Sequence, residues 1–286
     1  MNQEVDTLIS LLDDNDNEVL HAVTDELLKQ GVTIIPRLEQ AWEKALNQKL
    51  QERLETVIHN IQFVNAKNKL KNWIDSGAEN ILEGAVYISQ FQYPNASFES
   101  VLQSIDKISG DIYLSSQNQL SAIEKVRLLN YVIYELNNFN RNTANFYSPQ
   151  NSFINQVIET RKGNPISLGI IYLAVAHKVG LPIYGVNLPK SFILAYLNEF
   201  RHIDSKDVSN DILFYINPYN KGTILTRREI DNFIVQQNIK PDPDFYAPCD
   251  NKTIILRLLT NLIIAYQKLG FDDKINLLKD ILLVFK

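Results

Sequence analysis

Cysteine and histidine are scarce in this chain. Its 286 residues include one cysteine, Cys249, and four histidines, His21, His59, His177 and His202. A single cysteine excludes an intramolecular disulfide bond and any zinc site built from several cysteines. The histidines show no ligand spacing, so we expect neither a metal ion nor another cofactor.

Long apolar runs and an export signal are also missing. The chain begins MNQEVDTL, with acidic residues where a signal peptide carries basic ones. No uninterrupted apolar stretch approaches the ~20 residues of a membrane span. We therefore expect a cytoplasmic protein with no membrane partner, and the 45% hydrophobic and 21% charged residues are typical of an ordered globular chain.

Positive charge is in deficit. The formal net charge is -5, so the molecule as a whole repels polyphosphate. The densest basic run, NAKNKLKNW with Lys67, Lys69 and Lys71, is better explained as the solvated face of a helix. Nucleic acid is therefore not an expected partner.

The first part of the chain has the pattern of consecutive amphipathic helices. Apolar residues recur at helical spacing over residues 5–63, with Gly31 as a helix stop and a new helix near Pro36. The pattern is similar to helix pairs of the HEAT type, which need stacked neighbours to bury both faces. We expect residues 1–65 to pack on the segment that follows.

Helical signal continues over residues 73–142, where we predict interruptions at residues 93–95 and at Gly110. The next helix is bracketed by Asn164 as N-cap, Pro165 at the first position, and Gly180 as the stop. Its interior, ISLGIIYLAVAHKV, is mostly apolar, which indicates a buried central helix.

Two strand-like runs follow, at residues 183–197 and 212–219, and then KGTILT and a helix near Arg227. Together with the buried helix they predict an α+β core with a small antiparallel sheet. The chain should close with a helical hairpin over residues 253–269 and 273–285, divided by Gly270 and capped by Asp272.

Several phrases of the sequence match a known family in order. They are NSFINQVIETRKGNPISLGIIYLAVAHKVGLPIYGVNLP, FYINPYNKG and LRLLTNLIIAYQKLG, preceded by ILEGAVYISQFQYPN and EKVRLLNYVIYELNNFN. The chain thus resembles the bacterial SirB-type branch of the transglutaminase-like superfamily over roughly residues 70–286. The resemblance implies a papain-like core at residues 66–245, preceded by the HEAT-like segment and followed at residues 246–286 by a hairpin of the TPR type.

In active relatives, the resemblance implies, a cysteine opens the central helix, a histidine lies on the next strand and an aspartate on the one after. The matching positions here hold Ser167, Ser191 and Asn217. A neutral serine gains little from a helix dipole worth ~0.3–1 kcal/mol, and a second serine accepts no proton near neutral pH. We therefore expect no covalent acyl transfer at this place.

The degenerate groove implied by the resemblance gives a set of expected binding residues, namely Asn164, Ser167, Asn187, Ser191, Asn217 and Tyr219. Pro189 and Pro218 should fix the ends of the strands around it. Asn151, Ser152 and Phe153 match a family phrase, and we assign them a structural role as a cap and a buried anchor.

Other candidate nucleophiles and bases carry weaker support. A lone cysteine such as Cys249 is usually a packing residue, and a histidine at a helix C-terminus, as His177 is, needs no catalytic explanation. The loop EFRHIDSKD places His202, Asp204 and Ser205 together, although neighbours on a loop seldom have the geometry of a triad.

These observations favour an inactive transglutaminase-like scaffold or adaptor that binds an unidentified protein or peptide. The alternative is a hydrolase or acyltransferase that uses Ser167 or Ser191 with a base still to be found. The name of the founding SirB member suggests a transcriptional regulator, but the acidic charge argues against direct contact with DNA.

Overall fold

The computed structural model describes residues 2–115, 120–198 and 211–286. Contacts divide the chain into two compact units. The first unit is Met1–Asn72 with Gln90–Pro94, and the second is Trp73–Ser89 with Asn95–Lys286. The three-part division predicted from the sequence stays a prediction.

The first unit is helical, as the sequence predicts. It contains α1 (Asn2–Leu11), α2 (Asn17–Gln30), α3 (Ile35–Lys44) and most of α4 (Gln48–Asp75). The predicted stop is confirmed, because α2 ends at Gly31 in a positive-φ conformation that suits glycine. Its core consists of fully buried leucines and their neighbours, among them Leu12, Leu27, Leu38 and Leu54.

Helices continue in the second unit with α5 (Ile81–Gln90), α6 (Phe98–Ser115) and α7 (Ala122–Asn130). The turn at residues 93–95 is present, but the predicted interruption at Gly110 is wrong. Gly110 lies inside α6, where it costs only about 1 kcal/mol relative to alanine and where nothing else disfavours the helix.

A π-helical turn, Tyr131–Leu136, follows α7 directly. Its amide bonds skip five residues, as in the 3.0 Å bond from the Asn137 N–H to the Val132 carbonyl. Tyr134 in this turn is buried and donates a 2.8 Å hydrogen bond to the carbonyl of Pro218. Burial raises the pKa of Tyr134, so the phenol stays a neutral donor.

The α+β class is confirmed. The short strands β1 (Asn140–Arg141) and β2 (Lys162–Gly163) pair in parallel, and α8 (Ile154–Thr160) lies between them in the sequence. Four strands form an antiparallel sheet in the order β3-β4-β5-β6: β3 (Ile183–Val186), β4 (Ile193–Leu197), β5 (Ile212–Asn217) and β6 (Thr223–Leu225).

Both faces of β4 are covered, which explains why ILAYL is apolar throughout. On one face Ile193, Ala195 and Leu197 join a core with Ile230 and Ile234 of α10 (Arg227–Gln236). The other face packs on α9 (Pro165–Lys178). The predicted central helix against a small antiparallel sheet is therefore present.

The central helix begins as the sequence predicts, with Asn164 as N-cap and Pro165 in the first turn. It contacts α6, α8, α11 (Asn251–Leu269) and strands β3 and β4. Because these elements surround it, every residue from Ile166 to Ala176 is buried. This enclosure fixes the direction of the helix start.

Phe192 lies against two glycines, one on the central helix and one on β3. A Cβ atom added to Gly169 would stand 2.5 Å from Cε1 of Phe192, and one added to Gly185 would stand 3.0 Å from its Cζ. Phe192 itself is 1% exposed. The missing side chains thus make room for the ring, and the ring anchors the turn that carries Ser191.

The C-terminal hairpin consists of α11 and α12 (Asp272–Leu282), which pack on each other. Gly270 ends α11 in the left-handed conformation, as expected. The predicted cap at Asp272 is wrong, because Asp272 is already the first residue of α12 and Phe271 takes the N-cap position. None of the helices in the described ranges is long and apolar enough to cross a membrane.

The packing of Phe192 predicts opposite effects for two glycine substitutions in helices of the second unit. Gly169→Ala should lower the free energy of unfolding by ~1–3 kcal/mol, since the new methyl group overlaps the ring. Gly110→Ala is the matched control. It should raise the free energy of unfolding by ~0.5–1 kcal/mol, because a Cβ there meets nothing within 4 Å. Urea denaturation measures both, and equal effects would contradict the packing.

Candidate functional site

A cleft of about 500 Å³ opens at the start of α9. Its other walls are the segment around Phe146, the turn around Ser191, and one face of α11. The lining residues are Phe146, Tyr147, Ser148, Ser152, Asn164, Pro165, Ile166, Lys190, Ser191, Phe192, Arg257, Thr260, Asn261, Ile264 and Ala265. The volume is in the range of small-ligand sites, ~300–1,000 Å³.

Ser167 stands at the helix start but does not line this cleft. It is 0% exposed, and its hydroxyl donates a 2.6 Å hydrogen bond to the carbonyl of Asn151. The same oxygen accepts a 3.0 Å bond from the Asn164 N–H, which completes a capping box. A main-chain carbonyl is no base near neutral pH, so this contact does not activate the hydroxyl.

Asn164 connects the helix start to the 3-10 turn Pro149–Ser152, which precedes α8 in the sequence. Its Oδ1 accepts from the N–H groups of Ile166 and Ser167, both at 2.9 Å. Its Nδ2 donates at 2.9 Å to the hydroxyl of Ser152. Asn164 and Ser152 are buried yet border the cleft. The helix N–H groups that could hold an anion are therefore already paired.

Asn151 holds the segment that forms the aromatic wall of the cleft. Its Nδ2 donates to the carbonyls of Asn145 and Phe146, at 2.8 and 3.0 Å. Its Oδ1 accepts from Asn142 at 2.8 Å. Asn151 and Phe153 are both almost fully buried, in keeping with the structural role assigned to this phrase.

Ser191 is half-buried and lines the cleft. Its carbonyl accepts a 3.3 Å bond from Nη2 of Arg257, whose Nη1 donates to Oδ1 of Asn187 at 2.6 Å. Asn187 therefore lies behind the cleft wall and reaches the cleft through Arg257. Lys190, just before Ser191, has φ of 59° in the left-handed region.

Asn217 and Tyr219 lie at the end of β5, outside the cleft lining. Oδ1 of Asn217 accepts from the N–H groups of Tyr219 and Asn220, at 3.0 and 3.2 Å, and so caps a 3-10 turn. The ring of Tyr219 meets that of Phe146 edge-on, with the centroids 6.3 Å apart. Burial raises the pKa of Tyr219.

The structure thus brings Asn164 and Ser191 to one cleft and puts Asn187 and Tyr219 just behind its walls. Within the described ranges, no hydrogen bond joins Ser167, Ser191 and Asn217 to one another. Each of the three has polar contacts of its own. That these positions descend from a catalytic triad stays a prediction.

Histidine, cysteine and carboxylate side chains are absent from the cleft lining within residues 2–115, 120–198 and 211–286. His177 lies toward the other end of α9, where its Nε2 donates a 2.7 Å hydrogen bond to the carbonyl of Ile183. His202, Asp204 and Ser205 lie outside the described residues. Among the residues the structure does describe, no group of three His, Cys, Asp or Glu side chains could hold a metal ion.

Cys249 is partly buried beside the sheet, where its N–H donates to the Gly185 carbonyl at 2.8 Å. Burial, assisted by the charge of Asp250, raises the pKa of the Cys249 thiol to about 12. Arg257 favours the thiolate but does not outweigh the burial. The thiol is therefore protonated at neutral pH and is a weak nucleophile.

The sequence argument missed Arg257 and the aromatic pair Phe146 and Tyr147. Arg257 could have been found from helical spacing, since Thr260 and Asn261 follow it at i+3 and i+4 on the same face of α11. A polar stripe on an otherwise apolar helix is the signal. The aromatic pair precedes Asn151 in a loop without periodicity, so nothing in the pattern indicated its position.

A family model described as the transglutaminase-like superfamily matches residues 99–260, more than half of the chain. The matched stretch includes the central helix, the sheet and the first part of α11. No solved structure matches the chain.

Curated relatives fall into two groups. F-box only protein 21 of Mus musculus is 27% identical over 227 residues, which is 71% of this chain and 35% of that protein. The UPF0162 protein of Xylella fastidiosa (strain 9a5c) is 25% identical over 217 residues, 70% of each chain. That of Vibrio cholerae is 26% identical over 191 residues, 66% of this chain and 67% of its own. The chain thus spans about a third of the F-box relative's length.

The two serines of the candidate site should differ in their effect on stability. Ser167→Ala should lower the free energy of unfolding by ~1–3 kcal/mol, because it leaves a buried carbonyl and a buried N–H without their hydroxyl partner. Ser191→Ala, at a half-buried position, should stay within ~0.5 kcal/mol of the wild type. Urea denaturation measures both, and an unaffected Ser167→Ala variant would contradict the structural role.

The pKa of Cys249 predicts slow alkylation of the folded protein. A rise from the ordinary 9.0 to about 12 lowers the thiolate fraction about a thousandfold at pH 8. Iodoacetamide should therefore modify native Cys249 roughly a hundredfold to a thousandfold more slowly than the same residue in denaturant. Mass spectrometry follows the adduct, and rapid modification of the native protein would show a reactive thiolate instead.

Proposed function

Because the chain belongs to the transglutaminase-like superfamily, we propose that it is a catalytically inactive member, which acts as a scaffold or regulatory adaptor by binding a segment of a partner protein in the cleft. Transglutaminase chemistry needs a thiolate, a base and a group that orients the base. We propose that the cleft has kept the shape of a binding groove and has lost these three catalytic groups.

One observation carries the inactive half of the proposal. Among the residues that the structure describes, the cleft lining contains no cysteine, histidine, aspartate or glutamate, and the charged residues in it are Lys190 and Arg257. Neither cation accepts a proton near neutral pH, so a hydroxyl in the cleft has no general base there. The buried hydroxyl of Ser167 is hydrogen-bonded to the main chain, which also supports the proposal of an inactive protein.

The shape and composition of the cleft support the binding half. Phe146, Tyr147, Ile166 and Ile264 offer apolar surface, and the exposed fractions of the two aromatic side chains are 48% and 50%. Polar side chains are interspersed among them. This mixture of aromatic anchors and hydrogen-bonding groups is what short peptide segments and small ligands use.

We further infer that the chain is of the bacterial SirB type and that α11 and α12 form a TPR-like hairpin. The UPF0162 relatives from bacteria, which align over most of both chains, support the first inference. We also propose a cytoplasmic location. The match to F-box only protein 21 covers 35% of that protein, so nothing of its whole-chain activity is carried over.

The alternative is a serine-dependent hydrolase or acyltransferase. The observation that favours it is the position of Ser191 in the cleft wall, half-buried and next to cationic groups. It requires a base among residues outside the described ranges or supplied by the substrate. Ser167 is the weaker nucleophile for this alternative, since it is fully buried.

A selection from a random peptide library tests the proposal directly. Wild-type protein should enrich a set of peptides, and Thr260→Trp should abolish their binding, because an indole on the exposed cleft face of α11 fills the space. Gln267→Trp is the matched control, being an exposed position on the same helix outside the lining. Its binding should equal that of the wild type.

Two results would overturn the proposal. One is a selection in which no peptide responds to Thr260→Trp. The other is a covalent adduct of a fluorophosphonate on Ser191 of the native protein that Ser191→Ala removes, since such an adduct requires an activated hydroxyl. The second result would favour the hydrolase.

A further inference from the structure

Arg257 is the charged residue that reaches into the cleft from α11. Its guanidinium is fixed by two neutral acceptors, Oδ1 of Asn187 at 2.6 Å and the carbonyl of Ser191 at 3.3 Å. These contacts set the direction of the group without neutralising its charge. A half-buried cation held in this way is oriented for a third partner.

The positive charge of Arg257 has no carboxylate partner in the described ranges. The nearest acidic neighbour in sequence, Asp250, is exposed, and its carboxylate accepts from the Thr253 N–H at 2.8 Å as the cap of α11. Burial lowers the pKa of Arg257, yet the guanidinium remains charged at any physiological pH. A partly desolvated cation of this kind favours an anion.

Donor groups for such an anion are present. A guanidinium has five N–H groups, and the two hydrogen bonds above occupy two of them. Three remain, which exceeds the two needed for a bidentate carboxylate. The site therefore has both the charge and the donors for this geometry.

Further positive charge surrounds the same cleft. Lys190 lines it with an exposed side chain, and the Lys268 ammonium lies 5.8 Å from the centre of the Tyr147 ring. In the part of the chain that the structure describes, no carboxylate lines the cleft, although the whole chain carries a net charge of -5. This local reversal of sign is the electrostatic complement of an acidic partner.

We propose that the cleft recognises an acidic peptide, in which an Asp or Glu carboxylate binds the Arg257 guanidinium and a neighbouring apolar side chain packs on Phe146 and Tyr147. This inference rests on the proposed function and names the chemistry of its partner. Arg257 supplies the bidentate contact, Lys190 attracts adjacent acidic residues, and the aromatic pair sets the spacing between charge and anchor.

The test extends the selection from a random peptide library, now with peptides of seven residues. The peptides are acetylated and amidated, so that their termini carry no charge. Wild-type protein should enrich peptides with Asp or Glu next to a large apolar residue. Arg257→Gln should weaken the selected peptides about 10–100-fold in fluorescence anisotropy, because a charged hydrogen bond is lost. Binding should also weaken as salt is raised.

Two further variants keep the test decisive if Arg257→Gln disturbs the turn at Ser191. Lys190→Asn removes a cleft charge at an exposed left-handed position that asparagine tolerates, and should weaken binding several-fold. Lys240→Asn removes an exposed charge outside the lining and should leave the affinity unchanged.

The outcomes separate the two proposals. The selection could enrich peptides that lack acidic residues, that the Thr260→Trp variant does not bind, and that the Arg257→Gln variant binds as tightly as the wild type. This result would overturn the acidic-peptide inference and leave the proposed binding function intact. Enrichment that depends on a free C-terminal carboxylate in a parallel unamidated library would also overturn it. A selection insensitive to Thr260→Trp would overturn both.

Discussion

The hydrogen bonds between the start of the central helix and the turn before it hold the second unit's site together. One buried asparagine, Asn164, pairs with two helix N–H groups and with Ser152, and the Ser167 hydroxyl closes the arrangement on Asn151. Asn151 in turn holds the main chain that carries Phe146. One hydrogen-bond network therefore joins the helix start, the turn and the main chain that carries the aromatic wall.

Such a network has a chemical consequence. Buried polar groups must be paired, and here the pairing uses the hydroxyl of Ser167 at the helix start. A residue whose donor and acceptor capacity is committed to the main chain contributes rigidity rather than reactivity. The contacts that fix the helix start thus also leave the Ser167 hydroxyl paired with the main chain.

The sequence predicted the elements that have strong local signals. The central helix has an asparagine cap, a proline in its first turn and a glycine stop, and its bounds were predicted closely. The sheet followed from runs of β-branched and aromatic residues. Gly110 was misjudged because a lone glycine only weakly disfavours a helix, and the cap of α12 was displaced by one residue for lack of a competing signal.

Less of the candidate site could be predicted. Asn164 and Ser191 line the cleft, and their role in binding stays a prediction, whereas Ser167 and Asn217 occupy local capping positions that a motif does not distinguish from catalytic ones. Arg257 comes from a helix more than 60 residues beyond Ser191 in the sequence, and only the fold brings its guanidinium to that turn. Contacts of this range depend on tertiary packing, which periodicity does not encode.

The π-helical turn at Tyr131–Leu136 has a bearing on how the family could vary in length. A wide turn of this kind accommodates one residue more than an α-helix of the same span, and each residue advances a helix by about 100°. Loss of a single residue here would restore regular winding and swing the Tyr134 phenol away from Pro218. Related chains that keep the contact with Pro218 should therefore also keep the extra residue. A related chain with a deletion in this turn should lack the tyrosine as well.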